Sequence, residues 1–387
     1  ASALAGIWYL AIYMLGFGFS LGLQVVVARR NGEQHYTETG KTFFQGLFFL
    51  SGLAVFLCLL SKLFSPIILS RLIASAEVYH AVIDYLDGRI WGLLFSFPFL
   101  ALRSFLVGIT HTKALNVAAL TAVLVNISGN WLLIFHWDMG IAGAAIASSF
   151  AEACSLAVLA IHVLRKMDKR LYGLSWSFDK GVLLHVFRVS VWSMFHSFIG
   201  VAPWFLFFVA IEHLGELQLA VANILRSIST LFFVIVNSFA ATTGSLVSNL
   251  IGADERGQVF PLCSRVIRLG YAIGFPLIAL ALIFHQSVID VYTDNPVIVQ
   301  TSWLPFVVML LNYVFALPGY VYMNAVTGTG ATRTAFILQA TTIAAYLLYL
   351  WGLSHCDVPL AVYWTVEYLF VIGPGVQSVI YLKHKHY

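Results

Sequence analysis

Charge is what this sequence has least of. Lys, Arg, Asp and Glu together make up 10% of its 387 residues, against 60% hydrophobic. A soluble domain carries about 25% charged residues, so a chain with mean hydropathy +0.89 does not have water as its main solvent. Cysteine is equally sparse. Cys58, Cys154, Cys263 and Cys356 stand singly, with neither disulfide nor metal spacing. The twelve His show no HxxxH or CxxC company, so no metal centre is expected. No paired-acid or nucleophile constellation appears, and connections such as WDMG and SHCD are too short to build a polar catalytic loop. These absences argue against an enzyme and against any cofactor. The net charge of +4 is too small to indicate nucleic-acid binding.

What is present is apolar sequence in run after run. A hydrocarbon core is crossed by about 20 apolar residues, and more than ten such runs exclude a lone signal peptide or anchor. Spans are expected at 3–28, 42–65, 84–108, 114–136, 141–164, 182–210, 217–249, 262–285, 300–327, 331–353 and 358–382. A lipid-facing backbone must satisfy its own hydrogen bonds, so each is read as a helix and the fold class as an all-α polytopic membrane protein. The run GAAIASS suits close helix packing. Pro98, Pro203, Pro276, Pro318 and Pro374 fall inside spans and mark expected kinks, with Pro98 and Pro318 the candidate hinges.

Basic residues alternate from one connection to the next. One side holds Arg29, Arg30, Lys41, Lys113, the cluster Arg165 to Lys180, Arg256, Arg265, Arg268, Arg333, Lys383 and Lys385. The other holds only Lys62 and Arg71. The basic side is therefore expected in the cytoplasm, with the linker and the C-terminus.

The chain also repeats itself. Gly32 and Gly252, Pro98 and Pro318, Gly108 and Gly328, and Thr112 and Thr332 all differ by 220 positions. FPFLALRSFLVGITHTKA thus lies over LPGYVYMNAVTGTGATRT. This gives an N-terminal lobe over 1–164, a basic linker over 165–181 and a C-terminal lobe over 182–387. The span near 182 has no counterpart 220 residues earlier, and eleven spans leave the termini on opposite sides. A first helix is accordingly expected to be missing. Two parallel repeats of six helices would then be related about the membrane normal.

ARRNGE, RSFLVGITHTK, VLVNISGNWLLIF, GIAGAAIASS, SLVSNLIGADE and NAVTGTGATRT, in that order and spacing, resemble the multidrug and toxic compound extrusion (MATE) transporters from residue 1 to about 385. The resemblance implies two six-helix bundles forming a V, and efflux of cationic or amphipathic compounds in exchange for inward Na+ or H+. The family's Asn and Asp on the fifth helix correspond here to Asn126 and Asn130, so the acid has become an amide. The sixth-helix hydroxyl corresponds to Ser148, and the seventh-helix acid of many members has no equivalent in FRVSVWSMFHSFIGVAPWF.

That leaves the coupling carboxylate to be found elsewhere. Glu152 and Glu367 lie well inside spans, whereas Asp84 and Asp87 sit at an outer end and read as interfacial. Glu152 follows Ser148 by four residues, on one helix face. That face is expected to meet Asn126 and Asn130, giving a coupling set of Glu152, Asn126, Asn130 and Ser148. Loss of water disfavours a charged carboxyl, and amide or hydroxyl neighbours leave its proton exchangeable. The alternative role for Glu152 is a protonated structural carboxyl between helices. Glu367, flanked by Tyr and Trp, ranks second. Arg226 is the main intramembrane cation and reads as snorkelling outward. The expected protein is a monomeric antiporter of the bacterial cytoplasmic membrane, handling small cationic or amphipathic molecules and touching only lipid otherwise. A flippase for lipid-linked saccharides remains open, and behind it a membrane-embedded transferase.

Overall fold

A computed structural model of the chain describes residues 2–73, 75–385 and 387. Among the described residues there is helix and no strand. Eleven helices among these residues are long and apolar enough to cross a membrane: Ala5–Gly32, Tyr36–Arg71, Ala76–Gly108, Lys113–His136, Gly140–Lys166, Lys180–Glu212, Glu216–Gly252, Arg256–Ile283, Pro296–Gly328, Thr332–Ser354 and Leu360–His384. They match the expected spans one for one, several running a turn or two beyond the apolar stretch.

Internal repetition extends to the backbone of the helix ends. After the first span, Gln34 takes φ 58°. The N–H groups of Glu33, Gln34 and His35 donate to the carbonyls of Arg29, Asn31 and Arg30. After the seventh span, Asp254 takes φ 59°, and Ala253, Asp254 and Glu255 donate to Asn249, Ile251 and Leu250. Every donor and acceptor is displaced by 220. The ends of the third and ninth spans repeat the pattern, with positive φ at Thr110 (62°) and Gly330 (85°). A left-handed residue of this kind closes a helix by capturing its last carbonyls.

The chain packs as two compact units, Ala1–Phe198 and Ile199–Tyr387. They divide within the sixth span, which is helical over Lys180–Ile199 and again over Ala202–Glu212, with Pro203 at the start of the second piece. The first piece belongs to the first unit: Val186 is in its core, and Gly18 and Gly22 let the first span lie directly on Ser190, Ser193 and Met194. The basic segment 165–181 also folds onto that unit. Its Tyr172 ring meets Phe105 and Tyr36 edge-on, and Gln45 Nε2 donates to the Ser177 carbonyl at 2.6 Å.

The small residues of the fifth span act as expected. Gly143, Ala145, Ala147, Ser149 and Ala151 are buried, and Gly88 sits against Ala145. Ser149 Oγ reaches the Gly88 carbonyl at 3.2 Å, and Ser155 Oγ the Ala118 carbonyl at 3.1 Å. Close backbone approach and hydroxyl-to-carbonyl bonds are how helices associate where water gives no driving force. In the second unit, Phe207, Phe306, Tyr346 and Trp364 fill the core. The apolar surfaces of Val117, Leu120, Leu124 and Ile127 on the fourth span remain exposed, as a lipid-facing helix requires.

Pro98 and Pro318 lie inside helix, in Leu93–Gly108 and Pro296–Gly328. The carbonyl that Pro318 leaves free, on Val314, accepts from the Tyr271 hydroxyl at 2.5 Å, so a neighbouring helix repairs the lost bond. The third span tightens before Pro98, in the single 3-10 turn Ile90–Gly92, without leaving the right-handed helical region.

Candidate functional site

Three of the four residues in the expected coupling set come together. Asn130 Nδ2 donates to Asn126 Oδ1 at 3.0 Å, and Asn126 Nδ2 donates to Ser148 Oγ at 3.0 Å. The relay joins the fourth span to the fifth. It ends where the fourth span widens into the π-turn Trp131–His136. Asn130 Oδ1 is buried without a hydrogen-bond partner.

Glu152 is the correction. It was expected among these amides, but its carboxylate points to the third span and takes both prongs of Arg89. Nη2 lies 2.6 Å from Oε1 and Nη1 2.9 Å from Oε2. The Arg89 guanidinium in turn lies over the Tyr9 ring, 3.9 Å from its centroid. Arg89 stands at the junction where the helix Ala76–Arg89 tightens into the 3-10 turn Ile90–Gly92. Cys58 Sγ bonds to the Ile90 carbonyl inside that turn. Gly92 leaves the room, since a Cβ at that position would collide with both the guanidinium and the carboxylate. Side-chain exposure is 12% for Arg89 and 24% for Glu152, so the pair is largely but not wholly removed from solvent. Two residues earlier on the same helix, Asp87 pairs with Lys62 at 2.6 Å and is 57% exposed, which fits its interfacial reading.

Glu367, the second acid, stands in the first turn of the helix Val366–His384. It is buried, at 6% exposure, and accepts from the Tyr346 hydroxyl at 2.9 Å. Among the described residues no Lys, Arg or His forms an ion pair with it. It lines a cavity of about 70 Å³ within the second unit, together with Trp204, Phe232, Asn312, Tyr320 and Trp364. Asn312 Oδ1 and Trp364 Nε1 are buried without partners. Drug-sized ligands occupy pockets of about 300–1,000 Å³, so this cavity suits waters or an ion, not cargo. Arg226 is exposed and lies 5.1 Å from the Phe208 ring centroid, with no carboxylate paired to it among the described residues.

Arg89, Tyr9, Tyr346 and Asn312 had no part in the sequence reading, and Trp364 entered only as a flanking residue of Glu367. One signal pointed to Arg89: an arginine and a glutamate inside neighbouring spans each need a partner, and each is the other's best one. Nothing comparable pointed to Asn312 or Trp364, whose importance lies in contacts they do not make. No three His, Cys, Asp or Glu side chains gather as a metal site among the described residues.

Among the described residues, eleven apolar helices, two units with the same helix-end geometry, and carboxyl groups held inside the spans define a multi-pass membrane protein. The family follows from direct comparison: the MatE family matches residues 1–132 and 193–350, and the chain belongs to it. It is 26% identical to the probable multidrug resistance protein NorM of Photorhabdus laumondii, over 80% of this chain and 69% of that one. With the protein of the same description from Shewanella oneidensis it shares 23% identity, over 96% of this chain and 79% of that one. The fold is also that of a MOP superfamily transporter from Pyrococcus furiosus, with TM-score 0.89 and 17% identity over 99% of this chain and 86% of that one.

Proposed function

We propose that this protein exports cationic or amphipathic compounds across the bacterial cytoplasmic membrane in exchange for inward H+ or Na+, by alternating access. The basic connections, linker and C-terminus face the cytoplasm on this reading. The observation that carries it is Glu367, a buried carboxyl at the wall of a water-sized cavity, held by one hydroxyl and paired with no cation among the described residues. A carboxyl so placed gains most from binding a proton or a small cation, because nothing else offsets its charge. Intramembrane acids of this kind mark ion pathways.

Glu152 is the weaker coupling candidate. Its charge is already offset by Arg89, and a proton placed on it would strip a largely buried guanidinium of its partner. The relatives named for multidrug resistance support the cargo class. The test is a susceptibility panel in a strain stripped of its own exporters, run beside a lipid-linked glycan assay. Expression should raise resistance to several cationic compounds and leave glycan export unchanged. Restored glycan export without resistance would reverse the assignment in favour of a flippase.

A further inference from the structure

Recognition of an organic cation in a dry site calls for an aromatic face and a carboxylate at right angles to each other's reach. The first unit holds that arrangement. Tyr9 offers its ring and Glu152 its two oxygens, and between them lies a flat, delocalised monocation with two N–H prongs. That cation belongs to the protein itself, the side chain of Arg89. We propose that Tyr9 and Glu152 form a binding site for amidinium- or guanidinium-like cargo, with Arg89 as its tethered occupant, displaced when cargo binds.

Three observations carry this. The contacts are those of a ligand and not merely of a charge pair, since the guanidinium uses its face for Tyr9 and both prongs for the carboxylate. The space is kept open by Gly92, where any side chain would occupy the place of the cation and its acid. Arg89 also has somewhere to go. It stands two residues from Asp87, about 3 Å along the helix axis, an exposed carboxylate paired with Lys62. A long arginine stem can swing its head there while leaving its carbons buried. Glu152, the more exposed of the pair, gives the incoming cation its approach. A tethered cation would keep the site charge-balanced when no cargo is present, and would set a threshold of affinity that cargo must exceed.

This inference rests on the reading that cargo is cationic, but its test is a binding measurement without a gradient, so failure of ion coupling would leave the result intact. Benzamidine, which is an aryl amidinium at neutral pH, is titrated calorimetrically into the purified full chain in detergent. Removing the internal competitor with Arg89→Ala should tighten binding about tenfold, because the fork and ring contacts pass to the ligand. Adding Glu152→Gln or Tyr9→Leu to that variant should abolish the gain. Arg89→Lys, which keeps the charge but loses the planar fork, should give a gain of about threefold and serves if Arg89→Ala does not fold. No gain in the folded variants, or a gain that survives Glu152→Gln, overturns the proposal.

Discussion

Replacing Glu152 with Gln tests what the Arg89 pair is worth. From the sequence alone this substitution mimics a protonated acid among amides and should leave folding untouched. The structure predicts otherwise. Gln removes the charge from a group whose side chain is 24% exposed and leaves opposite it a guanidinium that is 12% exposed. Breaking a buried pair by removing one partner costs about 3–5 kcal/mol, and the partial exposure favours the low end. The Gln carbonyl can still accept one bond from Arg89, recovering about 1 kcal/mol. The net loss is then about 2–3 kcal/mol. At 2–4 °C per kcal/mol for a unit of this size, that lowers the melting temperature by about 4–12 °C. The assay is thermal unfolding of the detergent-purified protein, followed by tryptophan fluorescence. The double variant Glu152→Met with Arg89→Met should recover most of the loss, since an apolar pair of similar volume leaves no orphaned charge. A Glu152→Gln protein that melts with the wild type, or a double variant no more stable than the single one, would refute the reasoning.

Other predictions draw on separate features. Tyr346→Phe removes the one side-chain donor to Glu367 and should cost about 1.5–3 kcal/mol in the same unfolding assay; no loss would mean that another group holds the carboxyl. Thr110, a β-branched residue at φ 62°, occupies the place that Gly330 takes in the repeat. Thr110→Gly should therefore gain about 0.5–1 kcal/mol, and Gly330→Thr should lose about 1–2 kcal/mol, as read by melting temperature. Cys356 is the exposed thiol among the four cysteines, with Cys58 and Cys263 buried. An impermeant maleimide applied to intact spheroplasts should label it, with the signal lost in Cys356→Ser. Labelling only after the membrane is opened would invert the proposed orientation.

Much of the fold was legible because membrane spans depend on composition and length, which a sequence displays directly. The 220-residue repeat was visible in Gly32 and Gly252 and in Gly108 and Gly328, and the structure gives its physical cause. The residues that end these helices adopt the same left-handed closure in both halves. The sites were less legible. Asn126, Asn130 and Ser148 could be joined because they lie on adjacent spans with helical spacing. Glu152 could not be placed by spacing, since its partner comes from the third span and not from the adjacent fourth. The surroundings of Glu367 were not legible for a different reason. Tyr and Trp neighbours usually mark an interface, but the flanking Tyr363 and Trp364 are core residues here, and the hydrogen bond comes from Tyr346, 21 positions away.

The central claim is that ion movement through Glu367 drives export. The direct measurement is uphill transport of a cationic dye in proteoliposomes, under an imposed proton gradient and separately under a sodium gradient. One of the two gradients should drive dye against its concentration difference in the wild type. Glu367→Gln, which keeps the Tyr346 bond and loses only the charge, should retain downhill dye exchange and lose the gradient-driven component. Uphill transport by Glu367→Gln at the wild-type rate, or none by the wild type under either gradient, would contradict the account.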